Sequence, residues 1–209
     1  MNEEWLERWE RGHTGWHEAG GSAALRKFWP GLPAGSRVLV PMCGKSADLL
    51  WLEQQGLDVT GVELSGIAVR AFFAEAGISF DIETGNGLPR FKARQRNLCI
   101  HCGDYFQFSA KPFDAVYDRA ALVALPPEFR PAYAKYTRSL MQADAVHLLI
   151  TLEYDQSMVN GPPYSVLADE VKGYWPELRR AGDKSALKNM PPKYREANLS
   201  EFVEAVWLK

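Results

Sequence analysis

The sequence predicts an α/β fold in which a mostly parallel sheet is covered by helices on both faces. Short apolar runs alternate with helical segments through the middle of the chain, and two of those segments end at a glycine. Strands that alternate with helices form parallel sheets, because each connection has to cross over the sheet. At 209 residues, 46% of them hydrophobic, the chain is long enough to bury the core of one globular domain.

The chain begins with a segment that is predicted to be a short helix, NEEWLERWERG. Asn2 is a candidate N-cap, glutamates occupy the first turn, and Gly12 is a candidate stop. Trp5 and Trp9 are four residues apart and therefore share one face of this helix.

Strands and further helices follow in alternation. Strands are predicted where short apolar or alternating runs occur, and helices where apolar residues recur at helical spacing. The predicted strands are RVLVPM, DVTGVEL, NLCIHC, FDAVYD, DAVHLLITLEY and EFVEAVWLK, and the predicted helices are SAALRKFW, SADLLWLEQQG, SGIAVRAFFAEAG, EFRPAYAKYTRSLM and VLADEVKGYW. The last strand is expected at an antiparallel edge of the sheet, and AGDKSALKNMPPKYREANLS is expected to be a loop or hairpin connection.

Charge and cysteine content narrow the class of protein. With 24 basic and 26 acidic residues the net charge is -2, which argues against non-specific binding to nucleic acid or an anionic membrane. The acidic start does not resemble a secretory signal, and no apolar run is long enough to cross a membrane. Three cysteines, an odd number, indicate reduced thiols and a cytoplasmic protein.

The turn after the first predicted strand contains Gly44-Lys45-Ser46, which is how a phosphate-binding P-loop ends. A P-loop also needs a glycine five residues before Gly44, but Leu39 occupies that position, inside the predicted strand. The G-x-G-x-x-G pattern of dinucleotide-binding folds is absent as well. A single glycine in the turn is too few to surround a triphosphate or a pyrophosphate with backbone amides.

An acidic residue, Glu63, ends the second predicted strand. It follows Gly44 by about 20 residues, the spacing at which a carboxylate accepts hydrogen bonds from a ribose diol. A ribose site without a pyrophosphate cradle fits S-adenosylmethionine better than a nicotinamide cofactor. A nicotinamide enzyme and a non-catalytic α/β module stay open on these residues alone, and Glu63 could also be a solvated strand end.

Five segments, in the same order, resemble the bacterial form of the thiopurine S-methyltransferase family. They are WLERWERGHTGWH, RVLVPMCGKSADLLWL, VTGVELS, FDAVYDRAALVAL and LEYDQSMVNGPPYSV. The resemblance implies a Rossmann-like class I S-adenosylmethionine-dependent methyltransferase fold, with a mostly parallel seven-stranded sheet and an N-terminal helical lid. It implies one domain over residues 1–209, with the lid and a helix in 1–35 and the Rossmann-like core in 36–209.

The resemblance also implies an activity. Members of the family transfer the methyl group of S-adenosylmethionine to aromatic or heterocyclic thiols such as thiopurines, and S-adenosylhomocysteine is the by-product. Bacterial relatives are also associated with selenium and tellurium compounds. The expected partner is a small thiol or chalcogen acceptor, and a monomer without nucleic-acid or membrane partners is expected. A module that binds S-adenosylmethionine without turnover is the competing class.

By resemblance, the residues expected at S-adenosylmethionine are Trp9, Met42, Glu63 and Arg119, and Trp16 is expected at the acceptor. No residue is assigned as a certain catalytic group, although Arg119 is a candidate for stabilising the acceptor thiolate or handling its proton. Without the resemblance, Trp9 reads as one of two packing residues on its helix. Arg119 likewise reads as the partner of Asp118 or of another nearby carboxylate.

Further positions are implied with less detail. Gly103 and Asp104 follow a strand where relatives contact adenine, and Tyr164 with the prolines of GPPYSV is expected at the acceptor. Ala120 stands where the family usually has glycine, so a positive φ there would strain the turn.

A metal site is not expected. Cys99 and Cys102 are separated by an odd number of positions on a predicted strand, which directs their side chains to opposite faces. His13 and His17 lie in a glycine-containing loop without an obvious carboxylate partner.

Overall fold

A nine-stranded mixed sheet organises the part of the chain that the computed structural model describes, residues 2–13, 18, 20–187 and 190–209. The strands are β1 (Arg37–Pro41), β2 (Asp58–Glu63), β3 (Phe80–Glu83), β4 (Arg90–Ala93), β5 (Leu98–Cys102), β6 (Phe113–Arg119), β7 (Met141–Glu153), β8 (Arg179–Ser185) and β9 (Val203–Leu208). Their order across the sheet is β3-β4-β5-β2-β1-β6-β7-β9-β8.

Seven α-helices accompany the strands within the same described residues. They are α1 (Asn2–Glu10), α2 (Ala23–Phe28), α3 (Asp48–Gln54), α4 (Gly66–Glu75), α5 (Arg130–Ser139), α6 (Ala168–Tyr174) and α7 (Pro192–Glu196). Ser65 caps α4 by accepting a hydrogen bond from the Ala68 N–H. Helices α2 to α6 lie where the sequence predicts them, so the strand–helix alternation is confirmed.

The predicted α/β class is confirmed, with a sheet larger than the expected seven strands. Strands β5, β2, β1, β6 and β7 are parallel, β9 runs antiparallel to β7, and β8 runs antiparallel to β9. These seven strands match the expected number, and the antiparallel pair β3–β4 adds two more beyond β5. Neither β3 nor β4 was predicted from the sequence, because each has only four residues and three of the four in β3 are exposed, so the apolar pattern is too short to identify a strand.

The segment that was expected to be a loop or hairpin connection, residues 181–200, is partly regular. Residues 181–185 belong to β8, and α7 follows within the same segment. Six of the seven residues of β8 are exposed, so the strand carries no hydrophobic pattern that would reveal it. Its pairing with β9 is what places it in the sheet.

Helices cover both faces of the sheet, as predicted. One hydrophobic cluster joins the sheet to α2, α3 and α4 through Leu25, Leu49 and Phe72. A second cluster joins the opposite face to α5 and α6 through Tyr133 and Val171. We call these the α2–α4 face and the α5–α6 face.

Helix α1 ends as the sequence suggests. Gly12 has φ +68°, its N–H donates to the Trp9 carbonyl at 3.2 Å, and the His13 N–H donates to the Arg8 carbonyl at 2.9 Å. These two bonds form a Schellman motif, which requires the left-handed conformation that glycine adopts readily. Asn2 is the first residue of the helix itself, and its side chain donates to Asp104 instead of capping α1.

The strand order reverses between β1 and β6, because the chain runs from β1 to β2 on one side and places β6 on the other. Open α/β sheets bind ligands in the crevice outside the carboxyl ends of the strands at such a point. None of the described helices has the length and apolar character that crossing a membrane requires.

Candidate functional site

A cavity of about 790 Å³ opens at the carboxyl edge of the sheet. Its walls come from the carboxyl ends of β1, β2, β6 and β7 and the residues after them, and from the residues after β5. The end of β8, the start of β9, the α7 region and the N-terminal segment complete the walls. We refer to the part beside β2 and β5 as the Glu63 end and to the part beside β6, β7 and β9 as the Arg119 end. The volume is that of a pocket for one or two small molecules.

The first turn after β1 has an unusual backbone. Met42 has φ +46° and Gly44 has φ +55°, and both residues line the cavity. A Cβ atom at Gly44 would lie 3.4 Å from Cζ2 of Trp9, so the indole rests directly against this turn. Non-glycine residues with positive φ are strained and are found preferentially at functional sites.

Glu63 fastens this turn to the end of β2. Its Oε2 atom accepts a hydrogen bond from the Gly44 N–H at 2.8 Å, and Oε1 accepts one from the Ser65 N–H at 2.7 Å. Burial raises the pKa of the Glu63 carboxyl, and hydrogen bonds from Ser65, Gly44 and Leu64 act in the opposite direction. Each carboxylate oxygen retains a lone pair, so Glu63 can still accept hydrogen bonds from a diol in the cavity.

Helix α1 lies across the Glu63 end. Asn2 Nδ2 donates to Asp104 Oδ2 at 3.2 Å, and Asp104 Oδ1 accepts from the Phe106 N–H at 3.0 Å. Trp9 is buried and lines the cavity together with Trp5. The predicted N-terminal helix is therefore in contact with the residues that follow β1 and β5.

Arg119 projects into the other end of the cavity from the last position of β6. Its Nη2 atom lies 2.9 Å from Glu18 Oε1, and its Nη1 atom lies 3.8 Å from Asp48 Oδ2. Burial acts to lower the Arg119 pKa, but Tyr117, Glu18, Asp48 and the nearby Glu204 outweigh it and raise that pKa. The guanidinium is thus held as a cation between carboxylates.

Asp48, at the start of α3, is buried and ties three parts of the site together. It accepts hydrogen bonds from the Ser22 N–H at 2.7 Å and the Tyr117 hydroxyl at 2.8 Å. The Ser22 bond fixes the N-terminal segment near the sheet, and the Tyr117 bond fixes a β6 side chain two residues before Arg119. A buried carboxylate is tolerated here because donors and a cation surround it.

The expected alternative partner of Arg119, Asp118, is occupied elsewhere. Asp118 accepts from the Tyr133 hydroxyl at 2.7 Å and from the Leu122 N–H at 3.3 Å. Burial raises the pKa of Asp118 to about 6. These bonds hold the turn after β6, in which Ala120 has the positive φ, +64°, that the sequence analysis considered.

The far wall of the Arg119 end consists of Pro162 and Pro163, which line the cavity as expected. The Pro163 carbonyl accepts hydrogen bonds from the Tyr154 and Tyr194 hydroxyls, both at 2.7 Å. Lys193 Nζ donates to the Asn160 carbonyl at 3.1 Å. Side chains of α7 therefore hold the proline loop in place.

The four residues predicted at S-adenosylmethionine, Trp9, Met42, Glu63 and Arg119, all line this one cavity. Trp16, predicted at the acceptor, lies outside the described residues. Gly103, Asp104 and Pro162 also line the cavity.

Tyr164, which was expected at the acceptor, does not line the cavity. Its ring lies close to Gly161 and 5.7 Å from the Arg130 guanidinium carbon. The expectation that Tyr164 faces the acceptor pocket is therefore corrected.

The two cysteines of C-x-x-C do not form a metal site. Cys99 Sγ lies 3.7 Å from Thr60 Oγ1, and Cys102 Sγ lies 3.9 Å from the Leu64 carbonyl oxygen. Among the described residues no group of three His, Cys, Asp or Glu side chains is placed to hold a metal ion.

Sequence reasoning missed most charged residues of the Arg119 end. Together with Arg119, four of them form what we call the charged cluster: Glu18, Asp48, Lys184 and Glu204. Asp48 has the position of an ordinary first-turn residue of a helix, Lys184 lies on the edge strand β8, and Glu204 lies on β9 beside it. Only the pairing of β8 with β9 and of β9 with β7 brings the last two to the cavity.

Comparison with known proteins gives a consistent result. The family model described as "Thiopurine S-methyltransferase (TPMT)" matches residues 1–209. The thiopurine S-methyltransferase of Bordetella petrii is 42% identical, over 97% of this chain and 95% of the relative. That of Photobacterium profundum is 41% identical, over 98% of this chain and 96% of the relative.

A solved structure shows the same fold at low identity. It is the 1,6-didemethyltoxoflavin-N1-methyltransferase of Burkholderia thailandensis, determined with bound 1,6-didemethyltoxoflavin and S-adenosylhomocysteine. The TM-score is 0.65 at 15% identity, over 100% of this chain and 86% of that one. At this identity the likeness shows a common fold.

Proposed function

The chain belongs to the thiopurine S-methyltransferase family, and from this premise we propose that it methylates the sulfur of aromatic or heterocyclic thiols with S-adenosylmethionine as the methyl donor. One observation carries the proposal on the structural side. The Glu63 carboxylate and the Arg119 guanidinium line a single cavity, at the carboxyl ends of β2 and β6, with the β1 turn between them. A diol-binding group and an anion-binding group therefore meet in one site.

The Glu63 end fits S-adenosylmethionine. Glu63 can accept bonds from the ribose hydroxyls, and the Gly44 turn leaves room for the methionine part beside Met42. Trp9 offers an aromatic ring, which favours a sulfonium cation and an adenine. When bound, S-adenosylmethionine supplies an activated methyl group. The roles of Trp9, Met42, Glu63 and Arg119 at this ligand are proposals from geometry and family resemblance.

The Arg119 end fits a flat thiol. Ile150, Leu152 and the two prolines give it apolar walls, while Arg119 provides a partly buried cation. A positive charge at this position stabilises a thiolate relative to its protonated thiol. Trp16, which family resemblance places at the acceptor, is proposed to add an aromatic wall.

The protein's main contribution to the reaction is alignment. Methyl transfer proceeds by in-line displacement, so the acceptor sulfur has to be held at about 3–3.5 Å from the methyl carbon, opposite the bond that breaks. In this site the prolines and the N-terminal segment would fix the acceptor ring, and Arg119 would keep its sulfur anionic. Heterocyclic thiols that are already ionised at neutral pH need no dedicated base.

Several finer points extend the proposal. Small selenium or tellurium species are candidate physiological acceptors, since the same apolar, cation-bearing pocket suits their anions. Residues 1–35 are proposed to act as a lid and helix over the core of residues 36–209.

We also propose a monomeric, cytoplasmic enzyme, in keeping with three cysteines that are all free.

An acceptor screen tests the function. Purified protein would be given S-adenosylmethionine with heterocyclic thiols, selenols, tellurite, and amines or hydroxyl compounds of matched size. Methylation of the thiols and not of the amines or hydroxyl compounds is expected. Tight binding of S-adenosylmethionine without methylation of any acceptor would instead favour the binding-module class.

A further inference from the structure

We propose that Glu204 is a general base of the reaction, which removes the proton from acceptor thiols that are not already ionised. The inference rests on the proposed function and extends its substrate range from thiolates to protonated thiols. It is drawn from the position of Glu204 in the sheet and from the absence, among the described residues, of a hydrogen-bond or ion-pair partner for its carboxylate.

Sheet pairing places Glu204 on the same face of the sheet as Arg119. Arg119 pairs with Ile150 across β6 and β7, and Glu204 pairs with Leu152 across β7 and β9. Residues paired in a sheet, and residues two apart on a strand, point to the same face. Arg119, Ile150, Leu152 and Glu204 therefore share the α2–α4 face, and all four line the cavity.

The spacing suits a small acceptor. Glu204 is two strands away from Arg119 and two residues nearer the carboxyl edge, which separates their Cα atoms by roughly 12 Å. Both side chains are long and point to the same side, so a flat ring can lie between the guanidinium and the carboxylate. A sulfur held at Arg119 then has a proton acceptor on its other side.

Hydrogen bonding singles out Glu204 among the carboxylates of the cavity. The Glu63 and Asp104 carboxylates accept hydrogen bonds from backbone amides. The Asp48 carboxylate accepts hydrogen bonds from Ser22 and Tyr117, and the Glu18 carboxylate forms an ion pair with Arg119. The backbone of Glu204 belongs to the sheet, but its side-chain carboxylate makes no hydrogen bond, and no ion pair within 4.0 Å, with any residue that the structure describes. Its lone pairs are therefore available to a ligand.

Electrostatic surroundings support a base at this position. Burial raises the pKa of Glu204, Glu18 and Asp48 raise it further, and Arg119 and Lys184 lower it. A carboxylate whose pKa is raised takes up a proton more readily, which makes it a better base near neutral pH.

The proposed step moves one proton and one methyl group. The acceptor S–H bond breaks, its proton binds a Glu204 carboxylate oxygen, and the electron pair stays on sulfur. That sulfur forms the new bond to the methyl carbon while the methyl–sulfonium bond breaks, and the latter pair remains on the departing thioether sulfur. Glu204 releases its proton to solvent after the products leave.

Two acceptors of equal shape separate the roles: 4-methoxythiophenol and 4-nitrothiophenol, assayed at a pH where the first is protonated and the second is ionised. Glu204→Gln should lower turnover of the methoxy compound by roughly 10²–10⁴-fold. Turnover of the nitro compound, and affinity for S-adenosylhomocysteine, should stay near wild type. Glu204→Asp should recover part of the loss, and Glu201→Gln, an exposed glutamate in the preceding segment, should behave as wild type.

A second readout needs no turnover. With S-adenosylhomocysteine present, wild-type protein should bind 4-methoxythiophenol with the ultraviolet absorption of its thiolate, and Glu204→Gln should lack this band. Equal loss of turnover for both acceptors, no loss for either, or an unchanged thiolate band would overturn the role of Glu204. If wild-type protein methylates neither thiol, the proposed function itself fails, and this inference with it.

Discussion

The Glu63 carboxylate accepts a hydrogen bond from the Gly44 N–H at 2.8 Å. This bond joins the ends of the first two strands of the parallel sheet, and the Ser65 N–H occupies the other carboxylate oxygen at 2.7 Å. Glu63 therefore has two tasks in our account. It holds the first turn in its positive-φ conformation, and it presents its remaining lone pairs to a ribose diol.

Substitution of Glu63 should reveal both tasks. Glu63→Ala is expected to weaken S-adenosylmethionine binding at least tenfold, about 1.4 kcal/mol, and to lower the free energy of unfolding by roughly 1–3 kcal/mol, because two amides lose their acceptor. Glu63→Gln should lose affinity with a smaller loss of stability, since its amide oxygen still accepts one bond.

Calorimetric titration and urea unfolding measure the two effects. Glu128→Gln, at an exposed glutamate before α5, is the matched control and should change neither quantity. In the wild type, affinity should also fall as the pH is lowered through the raised pKa of Glu63, because the protonated carboxyl accepts fewer bonds. Unchanged affinity in Glu63→Ala would remove this residue from the ligand site.

Arg119→Lys should reduce turnover more than it weakens S-adenosylmethionine binding. Lysine keeps the positive charge but cannot reproduce the planar fork that faces Glu18 and Asp48. Steady-state kinetics with an ionised thiol, together with calorimetry for the methyl donor, separates the two quantities. Wild-type turnover at saturating substrates across the pH range would leave Arg119 with a structural ion-pair role only.

Ala120→Gly should stabilise the protein by about 0.5–1 kcal/mol. A left-handed conformation costs an L-residue about 1–2 kcal/mol, and the greater freedom of glycine in the unfolded chain offsets part of the gain. Ala121→Gly is the control, because Ala121 has φ -87° and should be destabilised by the same change. Urea unfolding of both variants gives the comparison, and a less stable Ala120→Gly protein would contradict the strain at this turn.

Much of the fold was predictable because its pattern is local. The apolar runs of β1 and β2 and the stop at Gly12 each act within a few residues, and the structure has them where the sequence indicates. The short strands β3 and β4 and the exposed edge strand β8 were not predictable in this way, since only pairing with a neighbour makes them strands.

The residues of the site likewise fall into two groups, those with a signal in the sequence and those without one. Glu63 was found because its distance from Gly44 along the chain is characteristic, and Arg119 because the family resemblance implies it. Asp48, by contrast, acts through Ser22 and Tyr117, which are remote in sequence. Long-range contacts of this kind depend on the assembled fold, and no single-sequence pattern encodes them.

The N-terminal lid should respond to ligand. We expect trypsin to cleave near Arg8 or Arg11 readily in ligand-free protein and slowly with S-adenosylhomocysteine, because the ligand would hold Trp9 and α1 against the Gly44 turn. Trp9→Ala should lose most of this protection. A protein without residues 1–17 should fold but transfer almost no methyl groups. Equal cleavage with and without ligand, and normal turnover after truncation, would refute the lid.

The central claim is that the cavity between Glu63 and Arg119 performs methyl transfer to sulfur. The most direct test is to incubate the protein with methyl-labelled S-adenosylmethionine and a heterocyclic thiol, and to locate the label in the product by mass spectrometry and NMR. The account predicts an S-methyl product and an equal amount of S-adenosylhomocysteine, both strongly reduced in Glu63→Ala. Label on nitrogen or oxygen, or no transfer by a protein that binds the methyl donor, would contradict it.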